Sequence, residues 1–63
     1  MCQSNAYLIK NGQEELIMKD VTILKPGENE GELYLEGMLG EKKNIKAKIK
    51  ELLLEEHRIV LEY

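Results

Sequence analysis

Few side chains in this sequence could do chemistry: one cysteine, Cys2, and one histidine, His57. Five lysines gather between Lys42 and Lys50, and three glutamates, Glu28, Glu30 and Glu32, stand close together. Cys2 stands out by position. A lone cysteine often packs in a core as a small apolar residue. Next to a chain end, and followed by Gln3, Ser4 and Asn5, Cys2 has little reason to be buried. An initiator methionine is usually removed before a small residue, which would make Cys2 the first residue. Its α-amine and thiolate, on adjacent carbons, then close a five-membered chelate ring with a metal, an N,S donor pair that needs no other side chain. Two such chains supply N2S2.

Thiolate and nitrogen donors in a tetragonal set suit Ni(II) or Cu(II), whereas zinc favours a tetrahedron. Inside a cell Cu(II) would be reduced and would oxidise the thiol, so nickel is the expected ion. With Met1 retained, its amine, the deprotonated Cys2 amide and the Cys2 sulfur form a tridentate alternative. His57 is a further nitrogen donor in principle, but a position in the turn before the last strand, solvated or hydrogen-bonded, accounts for it without a metal.

The lysines Lys42, Lys43, Lys46, Lys48 and Lys50 raise a second class of function, an RNA-binding β-barrel. Such surfaces usually interleave basic residues with aromatic stacking platforms. Only three aromatics are present, Tyr7, Tyr34 and Tyr63, and the net charge is −3. A solvated lysine face that discourages strand pairing is the simpler expectation, and nucleic acid is an unexpected partner. Glu28, Glu30 and Glu32 lack the ligand spacing of a calcium loop and read as a solvated loop. No nucleophile with a nearby base, phosphate-binding glycine loop or paired carboxylates at a pocket stands out, so an enzyme is not expected.

The elements that must position these groups read as strands. Ala6–Ile9 is a short apolar run, Asn11-Gly12 a hairpin turn, and Glu14–Met18 the returning arm. Asp20 is expected to break the chain before a further strand at Val21–Leu24. Pro26 to Gly31 reads as an exposed loop, Leu33–Gly37 as an alternating strand with a bend at Gly37, and Gly40–Asn44 as a turn. Between Ile45 and Glu56, the alternation of Ile45, Ala47 and Ile49 with Lys46, Lys48 and Lys50 favours strand over helix. A turn through Glu55, Glu56 and His57 leads to a last strand at Arg58–Glu62.

The expected fold is therefore all-β, a small barrel or rolled antiparallel sheet of five to seven short strands in one domain spanning residues 1–63. At 63 residues such a domain buries only about 60% of its unfolded surface. One cysteine cannot form an intrachain disulfide, so a metal or self-association is the expected support. No apolar run approaches the roughly 20 residues of a membrane helix, and no signal peptide is evident, so the expected location is cytoplasmic, without a membrane partner.

One set of residues carries a resemblance along nearly the whole chain. It comprises Met1-Cys2, Tyr7-Leu8, Lys10, Gly12, Glu15, Asp20-Val21, Lys46-Ala47-Lys48-Ile49-Lys50-Glu51 and His57-Arg58-Ile59-Val60-Leu61-Glu62. The sequence resembles the CooT family of small nickel-binding proteins. The resemblance implies a cytoplasmic homodimer of β-rich subunits that binds Ni(II) through Cys2. It also implies a metallochaperone-like role in nickel delivery to a client enzyme, in some members for carbon monoxide dehydrogenase maturation. Only Cys2 coincides with a known ligand. The chain departs from the family at Leu39, where many relatives carry phenylalanine, a difference expected to concern packing.

Overall fold

The computed structural model describes residues 3–63, and Met1 and Cys2 lie outside them. Six strands form one sheet: β1 (Ser4–Lys10), β2 (Gln13–Pro26), β3 (Glu32–Gly37), β4 (Lys42–Lys46), β5 (Lys48–Leu53) and β6 (Arg58–Glu62). Their order across the sheet is β4-β3-β2-β1-β6-β5. A single 3-10 turn, Leu54–Glu56, precedes β6, and the described residues contain no α-helix. The all-β expectation holds, with a strand count inside the expected range. The sheet is open rather than closed into a barrel, and it is mixed, because β1 and β6 run parallel while every other pairing is antiparallel.

The hairpin between β1 and β2 forms where the Asn-Gly pair signals it. Asn11 and Gly12 take φ values of 51° and 78°, the two positive angles that let a two-residue turn follow the strand twist. Lys10 and Gln13 close it. Asp20, by contrast, does not end the strand. Residues 13–26 are one continuous β2 that pairs first with β1 and then, from Val21 onward, with β3.

A straight strand of that length would span roughly 45 Å, yet the longest dimension of the protein is 30 Å. β2 must therefore bend. Asp20 adopts φ 53°, a left-handed conformation that Asp tolerates better than most residues. Register shifts flank it, against β1 between Ser4 and Tyr7 and against β3 between Val21 and Ile23. Each added residue on β2 kinks and twists the strand. The bend carries β3 and β4 over the other strands and rolls the sheet.

The roll explains a second departure. Ile45–Glu56 does not hold one strand: its alternating stretch is divided at Ala47 into β4 and β5, which are the two opposite edges of the sheet. One residue links the two edges, and it is buried. Inside the roll, Ala6 and Leu8 of β1, Met18 and Val21 of β2, Leu35 of β3, and Ile59 and Leu61 of β6 pack with Ala47. Leu35 and Leu61 are wholly inaccessible, and burying each stabilises the fold by about 1.5–3 kcal/mol.

The loop between β2 and β3 is tied by its own polar groups. The Glu32 carboxylate accepts from the Asn29 amide and, at 2.9 Å, from Asn44 Nδ2. At Gly27 a Cβ would lie 2.9 Å from that of Glu32, so the close approach calls for glycine. Leu39, expected to concern packing, is 84% exposed and takes no part in the core.

The bend makes a test of local stability. Asp20→Val forces a β-branched residue into the left-handed region and is expected to cost about 1–2 kcal/mol, with Asp20→Gly costing less; urea unfolding of both variants measures the difference.

Candidate functional site

Cys2, the metal candidate, lies outside the described residues, so the site is approached through the segment that carries it. The strand that follows it, β1, begins at Ser4, and Asn5 ties the start of that strand to its neighbours. The Asn5 amide donates to the His57 carbonyl at 2.9 Å, and Asn5 Oδ1 accepts from the Asp20 amide at 3.1 Å. The Asp20 carbonyl accepts from the Met38 amide at 2.9 Å, and the His57 amide donates to the Leu54 carbonyl. A chain of hydrogen bonds thus links the start of β1, the bend of β2, the β3–β4 turn and the 3-10 turn.

Each partner is there for a local reason. His57 closes the 3-10 turn in the left-handed conformation, which turns its carbonyl toward β1. Asp20 sits at the bend, where the register shifts leave its amide outside the regular ladder and available to a side chain. The Asn5 side chain fills that role. Sequence reasoning missed Asn5 because its partner is 15 residues away and it sits in the polar stretch Gln3, Ser4 and Asn5 ahead of the apolar run, where nothing local marks it. It also missed Arg58, whose guanidinium lies 4.7 Å over the Tyr7 ring and pairs with Glu14 on the sheet's outer face.

His57 is exposed, and its carbonyl accepts from the backbone amide of Asn5 at the start of β1. Among the described residues no three His, Cys, Asp or Glu side chains are grouped to hold a metal ion. Around the same corner lie three of the most exposed large apolar side chains, Met38 at 53%, Leu39 at 84% and Leu54 at 67%.

The lysines are divided between two strands that meet at Ala47, where Lys46 and Lys48 stand on either side of one pocket with Tyr63. Lys42, Lys43 and Lys46 lie on β4 at one edge of the sheet, and Lys48 and Lys50 on β5 at the other. Three stand opposite glutamates in the register: Lys42 with Glu36, Lys46 with Glu32 and Lys48 with Glu62. Paired opposite charges of this kind weaken the positive field that RNA would need. Tyr34 and Tyr7 are each engaged by a cation, Lys25 and Arg58, which lowers their value as stacking platforms. In the acidic loop, Glu32 is occupied by Asn29 and Asn44.

With this geometry in place, comparison with known proteins gives a consistent result. The family model for CooT, described as CO dehydrogenase accessory protein CooT, matches residues 1–62. A crystal structure assigned to CooT from Carboxydothermus hydrogenoformans is similar at a TM-score of 0.85 with 44% sequence identity, covering 97% of this chain and 95% of that one. No protein of curated function matches in sequence. The chain belongs to the CooT family of CO dehydrogenase accessory proteins. Members of this class assist the maturation of an enzyme and are not enzymes themselves. No helix among the described residues is long and apolar enough to cross a membrane.

One titration checks the charge arrangement on β3. The Tyr34 hydroxyl donates to Glu36 Oε1 at 2.8 Å. That bond, with burial and the Glu36 charge, raises the phenol above its ordinary pKa of 10.0. Ionising the phenol removes the donor and sets two negative charges together, so Tyr34 keeps its proton to higher pH. Ultraviolet titration is expected to show Tyr34 ionising late, and Glu36→Gln is expected to bring it down.

Proposed function

We propose that this protein is a small nickel(II)-binding accessory factor, metallochaperone-like, that takes up the ion through Cys2 for delivery to, or storage for, nickel enzyme maturation. Family membership across residues 1–62, a match that includes Cys2, carries the reading. The family's description points to a carbon monoxide dehydrogenase as the client, with nickel as cargo. The chemistry of the donor set fits: a thiolate and an amine on adjacent carbons form a compact chelate for a d8 ion with a tetragonal preference.

Two chains complete the donor set as N2S2, which makes the working unit a homodimer. Met38, Leu39 and Leu54 support this arrangement, because they expose apolar surface around the corner from which the N-terminal segment departs. Exposed large apolar side chains favour contact with another protein surface. Two copies meeting there would bring both Cys2 residues to one ion. The cytoplasm, where thiols stay reduced, is the compartment that keeps Cys2 competent. The alternative of an RNA-binding β-sheet is disfavoured because three of the five lysines, Lys42, Lys46 and Lys48, stand opposite glutamates in the strand register.

Isothermal titration with Ni(II), on protein carrying a native N-terminus, tests the reading. One ion per two chains is expected, and Cys2→Ser is expected to weaken binding by more than about 100-fold, beyond the usual effect of losing an outer-shell partner. Tight binding retained by Cys2→Ser would refute it.

A further inference from the structure

β5 ends the strand order, so one side of its backbone has no strand against it among the described residues. Such an edge is a template for another strand. The pairing with β6 tells which way the β5 side chains face, because paired residues share a face. Ile49 stands opposite Leu61 and Leu52 opposite Ile59, two members of the core, whereas Lys48, Glu51 and Leu53 stand opposite Glu62, Val60 and Arg58. The register shifts between Ile49 and Glu51, a bulge that sets Lys50 and Glu51 together on the outer face. Ile49 and Leu52 thus face the core side, yet they are 43% and 49% exposed. The core is uncovered at this edge.

We propose that β5 pairs antiparallel with β5 of a second copy, about a two-fold axis between Lys50 and Glu51. In that register Lys50 meets the partner's Glu51, Ile49 the partner's Leu52 and Lys48 the partner's Leu53. Each pair joins residues of one face. A regular strand could not pair with itself in this way, since residues 50 and 51 would face opposite sides; the bulge at Lys50 permits it. The apolar pairs extend the core across the edge, and the charged pairs set opposite signs together. Among the described residues neither Lys50 nor Glu51 has an ion-pair partner in its own chain. A slip of one residue in either direction sets Lys50 against the partner's Lys50, or Glu51 against the partner's Glu51, so the charges select one register. The lysine that deters other edges is matched at this one. A contact of this kind is isologous and closes on itself, giving a dimer and not a fibre. Antiparallel pairing places the two His57 turns at opposite ends of the joined strands. The contact is therefore separate from the corner at Met38 and Leu39, needs no metal, and stands independently of the nickel reading.

Sedimentation equilibrium of the full chain, metal-free and reduced, tests the pairing. The protein is expected at twice its chain mass of 7.3 kDa. Lys50→Glu and Glu51→Lys each set like charges together at both symmetric positions, and each is expected to weaken the dimer about tenfold. The two substitutions combined recreate the opposite-charge pairs and are expected to restore it. Both side chains are exposed, so the variants keep the fold, which far-ultraviolet circular dichroism checks. Lys43→Glu on β4, the opposite edge of the sheet, is the control and is expected to leave the dimer unchanged. A monomer at concentrations up to about 1 mM would overturn the inference. So would a dimer that the single charge reversals leave intact, a combined variant that fails to recover it, or an equal loss in Lys43→Glu.

Discussion

The structure depends on the bend in β2. A 14-residue strand cannot cross so small a protein in a straight line, and the left-handed turn at Asp20 lets one strand serve two halves of the sheet. Its first half pairs with β1, its second with β3. Because the halves face each other across the bend, a single sheet can enclose its own core, and Ala47 can pass from one edge to the other in one step. Without the bend, Leu35 on β3 and Leu61 on β6 would have no common interior. Asn5 and Met38 hold Asp20 on either side, through its amide and its carbonyl.

Much of this was legible from residue types where the cause is local. Asn11-Gly12 announced its hairpin because two positive φ angles restrict the choice of residues. Arg58–Glu62 read as a strand because Ile59, Val60 and Leu61 are suited to one, and the structure shows why all three are apolar. Ile59 and Leu61 face the core, while Val60, also buried, stands outside that cluster against Tyr7 in the register. The illegible features are those with distant causes. Asp20 read as a breaker because aspartate favours turns, but the register shifts around it let the strand continue. Ile45, Ala47 and Ile49 alternate as one strand would, and alternation does not reveal that the two halves belong to opposite edges. The parallel pairing of β1 with β6 joins residues more than 50 apart in sequence and has no local sign.

The candidate site divides in the same way. Cys2 was conspicuous from its position and its uniqueness, and resemblance to a family added the ion and the role. The surroundings of that segment were not readable from sequence, since Asn5, Asp20, Met38 and His57 become neighbours only when β2 bends. The lysines show the opposite error of scale. They look like one strand face in the sequence, but they belong to two different edge strands, where charge at the margin of a sheet discourages pairing with other chains. The small core adds a reason for a partner: nine apolar residues are buried among the described residues, and a second subunit around Met38, Leu39 and Leu54 would extend that burial.

The central claim is that this accessory protein carries nickel on a terminal thiolate and amine. X-ray absorption at the nickel edge, recorded on the Ni(II)-loaded protein with its native N-terminus, tests it most directly. The account predicts a first shell of mixed sulfur and nitrogen donors in a tetragonal arrangement. A shell of oxygen and nitrogen donors alone, with no sulfur, would contradict it.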